Sequence, residues 1–234
     1  MGSNDSINPE RNEIEQSQLP TVALLCKFGY EYLPSSEVNA QRKGKMSGVL
    51  LENVLKQQLA RINTITYKGE QRAFSETTIA KAIQALKDVS LVGGRLKANE
   101  AIYDLLTLGK SFDETIRGDT KSYSLNYIDW NKPENNVFHV TAEISVTRRG
   151  RNDSYRPDLV LFCNGIPLAV IECKARDHEL DEAVGQMIRN QDTETGIPQL
   201  FKYVQIVVGA KASEATYATA GTPKNFWSFW PCHE

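Results

Sequence analysis

Residues 156–174 read RPDLVLFCNGIPLAVIECK. Two apolar runs lie on either side of Asn164-Gly165, a dipeptide that favours a tight hairpin because both central positions of such a turn need positive φ. Asp158 stands before the first run, and Glu172 and Lys174 stand near the end of the second. On paired strands, two acids and a lysine can hold a divalent metal and activate water beside a phosphate. Strand residues alternate faces, so Glu172 and Lys174 point one way, Ile171 and Cys173 the other.

Whether Asp158 joins them depends on the turn. A two-residue Asn164-Gly165 loop pairs Cys163 with Ile166, hence Asp158 with Ile171, and puts the acid on the wrong face. A three-residue Cys163-Asn164-Gly165 loop, with Gly165 left-handed and a bulge, pairs Phe162 with Ile166 and Asp158 with Val170. The three polar side chains then share a face. The local hairpin rule favours the first turn, whereas a metal site requires the second or an equivalent bulge; the expectation is a bulged hairpin. Two carboxylates about 4 Å apart repel by roughly 4 kcal/mol at an effective dielectric of 20, so they need a cation or a proton. Oxygen ligands suit Mg²⁺, which binds through one or two carboxylates and keeps several waters. A lone Glu-x-Lys is ordinarily a structural ion pair at a strand end. Here it continues the apolar run Leu168-Ala169-Val170-Ile171, where a charge is costly to bury without purpose.

Outward from the hairpin, Ser122 to Ile128, Val137 to Val146 and Tyr203 to Val208 read as further strands, the last apolar enough to be buried on both faces. Glu179 to about Gln191 reads as a helix with Ala183 and Met187 on one side and Gln186 and Asn190, four apart, on another. Before Ser111 the pattern is helical. Helices are expected over Glu13 to Phe28 (started or interrupted by Pro20 and stopped by Gly29), over Val49 to Ile62, after a Ser75 cap, and from Asn99 to Leu108. This order argues an α/β sheet with an N-terminal helical lobe. Residues 1–12 read as a loose tail. Residues 13–234 read as one domain, mainly helical over 13–110 and sheet-rich over 111–234.

At 234 residues and 41% hydrophobic composition the chain can bury a sizeable core, and its net charge of −2 gives no global basic footprint for nucleic acid. Cys26, Cys163, Cys173 and Cys232 are scattered without a CxxC pair, which argues against a zinc site or a disulfide framework. Without a long apolar run or a leader-like N-terminus, the chain reads as soluble, intracellular and cytoplasmic, with no membrane role. Arg148, Arg149 and Arg151, with Arg156 close by, form a basic loop ahead of Asp158 that can grip DNA phosphates without reading sequence. Arg42-Lys43-Gly44-Lys45 reads as a mobile loop; Asn39 and Met46 stand where a phosphate-binding P-loop needs Gly and Ser/Thr. His139, His178 and His233 are isolated. Phe226, Trp227, Phe229 and Trp230 can stack on bases, or pack the domain edge or a neighbour.

Pro157-Asp158 followed fourteen residues on by Glu172-x-Lys174 resembles the PD-(D/E)xK nuclease motif. The longer string resembles something narrower: the nuclease domain at the N-terminus of the restriction (R) subunit of type I restriction enzymes. Leu50 to Leu55, Asn99-Glu100-Ala101, Ile128-Asp129-Trp130 with Pro133 to Asn136, Asn164 to Leu168, Leu200 to Tyr203 and Phe226 to Trp230 carry that likeness from about Glu13 to Trp230. The resemblance implies a mixed central sheet flanked by helices. It implies Asp158 and Glu172 as Mg²⁺ ligands and Lys174 as the catalytic lysine. It also implies a Q-x-x-x-Y motif facing the site, which Gln186 fits but Asn190 breaks, standing where tyrosine belongs. Both are expected near DNA. Relatives in the superfamily often add a glutamate from the first helix; Glu13, Glu15 and Glu52 are candidates. The family's longer members carry ATPase motor domains and bind modification and specificity subunits, with double-stranded DNA as substrate. This chain, which should bind no ATP itself, reads as a fragment of such a protein. The alternative is a non-catalytic DNA-binding or assembly module that keeps the fold.

Overall fold

The computed structural model describes residues 13–212 and 214–230; the tail expected at 1–12, Cys232 and His233 lie outside them. A π-helical segment, Ile14–Gln18, runs into α1 (Leu19–Lys27), with Pro20 in the first turn of α1 just after the π-helical stretch. There follow β1 (Glu31–Tyr32), α2 (Ser35–Gln41), α3 (Glu52–Ile62), a hairpin of β2 (Thr64–Tyr67) and β3 (Glu70–Ala73), α4 (Glu76–Lys87) and α5 (Arg95–Leu108). A second hairpin joins β4 (Lys110–Ile116) to β5 (Asp119–Leu125), ahead of β6 (Phe138–Ala142) and the short pair β7 (Val146–Thr147) and β8 (Ser154–Tyr155). The last third holds β9 (Leu159–Cys163), β10 (Ile166–Lys174), α6 (Leu180–Asn190), α7 (Pro198–Phe201), β11 (Ile206–Lys211), β12 (Glu214–Thr219) and β13 (Ser228–Phe229).

Among the described residues the central sheet has seven strands in the order β1-β6-β9-β10-β11-β12-β13. It is mixed: β1 runs parallel to β6 and β10 parallel to β11, the other neighbours antiparallel. A parallel neighbour needs a crossover, and α6 and α7 supply it between β10 and β11.

The central hairpin corrects the expected register. Asn164 and Gly165 both have positive φ (52° and 83°), and Cys163 opposes Ile166, so the turn is the plain two-residue one. The bulge lies in β10. Pro167 opposes Phe162 but Ala169 opposes Leu161, which leaves Leu168 as the extra residue. Beyond it Ile171 opposes Leu159, and one step further Glu172 faces Asp158 rather than Val170 doing so. The face required of Asp158 is reached by a different device from the three-residue loop.

That turn is buried and tied on three sides. Asn164 exchanges hydrogen bonds with Val137, its N–H donating to the carbonyl (2.8 Å) and its Oδ1 accepting from the amide (3.0 Å). Its Nδ2 donates to Tyr127 O and Asn136 Oδ1, and Gly165 O accepts from Leu51 N (2.9 Å) at the start of α3. Asn99 Nδ2 likewise clamps the carbonyls of Phe201, Lys202 and Val204. Polar residues that are remote in sequence thus hold buried main chain, which would otherwise lack partners.

One hydrophobic core runs from Leu33 and Val38 through Leu55, Ile79 and Ile102 to Phe162, Val170 and Val207. Helices α2 to α5 therefore share one core with one sheet face. On the other face Val140, Leu159, Leu161, Ile171 and Cys173 meet Val22 and Leu25 of α1. Ser75 caps α4 as expected, accepting from Thr78 N at 3.2 Å, and Glu114 docks β4 there through Ser75 N and Oγ (both 2.8 Å). Cys163 and Cys173 are buried and free, and burial pushes both thiols up to about 12. At the C-terminal edge Trp227 packs against the core and Trp230 meets the Tyr217 ring edge-on, while Phe226 and Phe229 are exposed. Among the described residues no helix is long and apolar enough to cross a membrane.

Candidate active site

Asp158, at the start of β9, and Glu172, near the end of β10, meet at one end of the sheet. Glu172 is fully buried, on the face covered by α6. The amphipathic spacing of Leu180, Ala183, Val184 and Met187 presses that helix onto the sheet. Gln186 and Asn190, on its adjoining stripe, then aim at Glu172: Gln186 Nε2 donates to Oε2 (2.8 Å) and Asn190 Nδ2 to Oε1 (3.1 Å). Asn190 is buried and does the orienting work at the tyrosine position of the motif; this placement turns it away from the DNA contact expected of it. Asp158 Oδ2 accepts from Cys173 N (2.6 Å), and its carbonyl accepts from Gln18 Nε2 (3.0 Å).

The electrostatics are those of a crowded acid pair. Burial, and then the Asp158 charge and the side-chain contact with Asp158, lift the Glu172 carboxyl well above its usual range. Burial also raises Asp158, partly offset by the Cys173 amide and by Lys174. Lys174, buried at the strand end, places Nζ 3.1 Å and 3.3 Å from the two carboxylate oxygens of Glu13. Burial raises Glu13 as well, against the pull of Lys174. Of the three glutamates considered, Glu13 is the one the fold brings in; Glu52 instead pairs with Lys87 at 2.8 Å. Sequence alone held no signal for that choice, since it depends on how the π-helical segment Ile14–Gln18 lies against β10 and β11.

A cleft of about 380 Å³ opens over this cluster, lined by Glu13, Lys174, His178, Glu182, Gln186 and Arg189. A larger cavity of about 600 Å³ between Tyr103, Trp130 and Ile206 is apolar and has no carboxylate, lysine, arginine or histidine in its wall. His178 reaches the cleft rim and is held by Glu182 (Nδ1 to Oε2, 2.8 Å). Arg189 was missed in the sequence; Gly185 leaves its guanidinium room to fold back over the helix. Among the described residues no three His, Cys, Asp or Glu side chains are placed to hold a metal together. His139 lies on β6, where burial lowers it, and does not reach the cleft.

The basic loop is only partly free. Arg148 is engaged by Asp153 (2.7 Å), by Thr195 O (2.7 Å) and by the face of Tyr155. Arg149, Arg151 and Arg156 are exposed. The Arg42–Lys45 segment is not loose: Arg42 is buried, its Nη2 donating to Asn39 Oδ1 (2.6 Å) and Ser145 O (3.0 Å).

Because Glu172 keeps its proton in the folded chain at pH values where an unfolded glutamate (ordinary value 4.5) has lost it, its contribution to stability is present below pH 4.5 and declines as pH rises toward the folded value. Glu114, Asp129 and Asp192 are shifted down and act oppositely, their stabilisation being lost as pH falls. The difference between wild type and Glu172→Gln isolates the site. In EDTA, the melting temperature of wild type relative to that variant is expected to drop as pH is raised from 4.5 to 8. A constant difference would mean that Glu172 is ionised throughout.

The family described as Type I restriction enzyme R protein N terminus matches residues 10–226. A provisionally named type I restriction enzyme MjaIXP endonuclease subunit of Methanocaldococcus jannaschii is 25% identical over 210 residues, which is 88% of this chain and 19% of that protein. The type I restriction enzyme HindI endonuclease subunit of Haemophilus influenzae is 26% identical over 203 residues, 84% of this chain and 18% of the relative. A shorter match, 32% over 104 residues, covers 43% of this chain and 10% of the type I restriction enzyme SauCOLORF180P endonuclease subunit of Staphylococcus aureus. The chain thus spans less than a fifth of the length of these relatives.

Proposed function

The chain belongs to the family of type I restriction enzyme R protein N termini, and from that premise we propose that it is a DNA endonuclease module of the PD-(D/E)xK type. In this reading Asp158 and Glu172 hold Mg²⁺ and Lys174 assists hydrolysis of a phosphodiester bond. The observation that carries it is the fully buried Glu172 set beside Asp158, its two oxygens held by Gln186 and Asn190 while Cys173 N holds Asp158. Two carboxyls so close are costly to ionise together unless a cation lies between them. The polar cleft beside the pair, lined by Glu13, Lys174 and Gln186, leaves room for an ion that takes one or two acidic ligands and completes its shell with water and phosphate.

When bound, the ion would polarise the scissile phosphate and lower the pKa of an adjacent water. The chain's own groups arrange everything else. Gln186 and Asn190 hold both oxygens of Glu172 in one orientation, and Cys173 N fixes Asp158. Glu13 holds Lys174 so that its remaining N–H donors face the cleft. Arg149, Arg151 and Arg156 grip the backbone of double-stranded DNA beside the site. Choice of sequence, ATP-driven translocation and contact with modification and specificity subunits would come from parts of the relatives that this chain does not span. Asn190 favours a non-catalytic module only if the missing tyrosine disables the site, and its bond to Glu172 counts against that.

The test is twofold: titration calorimetry of Mg²⁺ into the chain, and nicking of supercoiled plasmid in Mg²⁺ against EDTA. One ion per chain, lost in Asp158→Asn, together with Mg²⁺-dependent nicking lost in the same variant, is expected. No ion bound and no nicking would overturn the assignment.

A further inference from the structure

The end of the sheet that carries Asp158 also collects cations from distant parts of the chain. Beyond β6, Glu143 N donates to Asp158 O (3.0 Å), and the chain continues into Ser145 and Thr147. There Arg42 donates to Ser145 O and Thr147 N donates to Met46 O (3.2 Å), which lays segment 42–46 beside the root of the 148–151 loop. Arg42 is 5% exposed, with Nε and Nη1 unpartnered; it anchors the segment and is unavailable to a ligand. Lys43 and Lys45, on either side of Gly44, are exposed and join no salt bridge among the described residues.

On its other side the 148–151 loop is fastened to the segment after α6. Arg149 N donates to Gly196 O (3.0 Å) and Arg149 Nη1 to Thr193 O (3.3 Å), four residues beyond Arg189 on the wall of the cleft. The acids nearby are largely occupied. Asp153 is paired with Arg148, Asp192 accepts from Thr195 and Glu194, and Glu143 lies 3.9 Å from Arg156; Glu37 on α2 and Glu194 beside the loop are the exposed exceptions.

We infer that Arg189, Arg149 with Arg151, and Lys43 with Lys45 form one continuous surface for the phosphate backbone of duplex DNA, leading outward from the cleft. The inference rests on the nuclease reading for its direction, and it adds Lys43, Lys45 and Arg189 to the DNA contacts. Such groups position a duplex without reading bases, and each phosphate neutralised releases counterions, giving a salt slope of about 0.9 per contact.

The probe is a 30-base-pair duplex of arbitrary sequence, bound in EDTA over a range of salt concentrations. Lys43→Ala/Lys45→Ala is expected to reduce the slope of log K against log salt by about 1.8 and Arg189→Ala by about 0.9, equally for unrelated sequences. Lys68→Ala/Lys110→Ala, on the two hairpins, is expected to leave it unchanged. An unaltered slope in the Lys43/Lys45 variant overturns the surface, as does displacement of the DNA by polyglutamate at equal charge concentration. A chain that binds with the full slope yet never nicks DNA sinks the nuclease reading and keeps the surface; one that nicks while the slope ignores these lysines does the reverse.

Discussion

Lys174→Ala is expected to lower the rate of DNA cleavage by about 10²–10³, the effect of removing one preorganised donor from a developing anion, or about 2.7–4 kcal/mol of barrier. The size follows from where the ammonium sits. It is buried at the end of β10, held by both oxygens of Glu13, and opens onto the same cleft as Gln186. It therefore needs no reorganisation when charge builds on the phosphate. Lys174→Arg is expected to rescue poorly, since a planar fork cannot replace a point charge at that depth. Glu13→Gln should cost less, because an amide oxygen still accepts from Nζ. DNA affinity in EDTA should stay within a few-fold of wild type for all three, which separates loss of chemistry from loss of binding. Equal cleavage by wild type and Lys174→Ala would remove the lysine from the reaction.

Most of this site was legible because its residues are close in sequence and lie on one hairpin. Asp158, Glu172 and Lys174 could be read as a cluster, and the α6 spacing alone put Gln186 and Asn190 on one stripe. What was not read was the device that aligns them. The bulge at Leu168 follows Pro167, whose missing N–H is tolerated in a central strand only near its start or at a bulge, so the local signal lay in the proline and not in the Asn164-Gly165 turn. Glu13 was one of three equal candidates in the sequence, and only the packing of Ile14–Gln18 against β10 and β11 brings it to Lys174. Arg42 looked like part of a loose basic run, and only its burial against Ser145 O shows that it is a fastening.

Of the two small hairpins only the strand from Ser122 was expected, part of β5; the rest was missed for a related reason. Their turns are Lys68-Gly69 and Arg117-Gly118, with the same pairs of positive φ (51° and 84°, 54° and 82°) as Asn164-Gly165, but lysine and arginine do not advertise the left-handed region as asparagine does. Several segments that carry the family likeness have a structural rather than chemical reason to be there. Asn99 holds the main chain of 201–204, and Asn136 joins the Asp129 amide to the Asn164 side chain.

The comparison of those turns gives the largest expected effect on stability. Gly165→Ala should destabilise the chain by about 3 kcal/mol, the sum of about 1–2 kcal/mol for forcing an L-residue into the left-handed region and about 1–3 kcal/mol for overpacking. An added Cβ would lie 2.6 Å from Leu51 O and 3.0 Å from Leu55 N, both main-chain atoms of a helix start that cannot rotate away. Leu51 N also donates to Gly165 O, so relieving the clash breaks a buried hydrogen bond. Gly118→Ala has the same backbone conformation (φ 82°) with nothing within 4 Å of the new atom, and should show the conformational cost alone. For a chain of this size, the first variant is then expected to melt about 6–12 °C below wild type and the second about 2–8 °C below it. A shifted turn would also move Asp158 off Glu172, so Gly165→Ala should weaken Mg²⁺ binding while Gly118→Ala should not. If both variants melt together and bind the ion alike, the contact with α3 does not hold the hairpin, and the register must be fixed by the bulge at Leu168 alone.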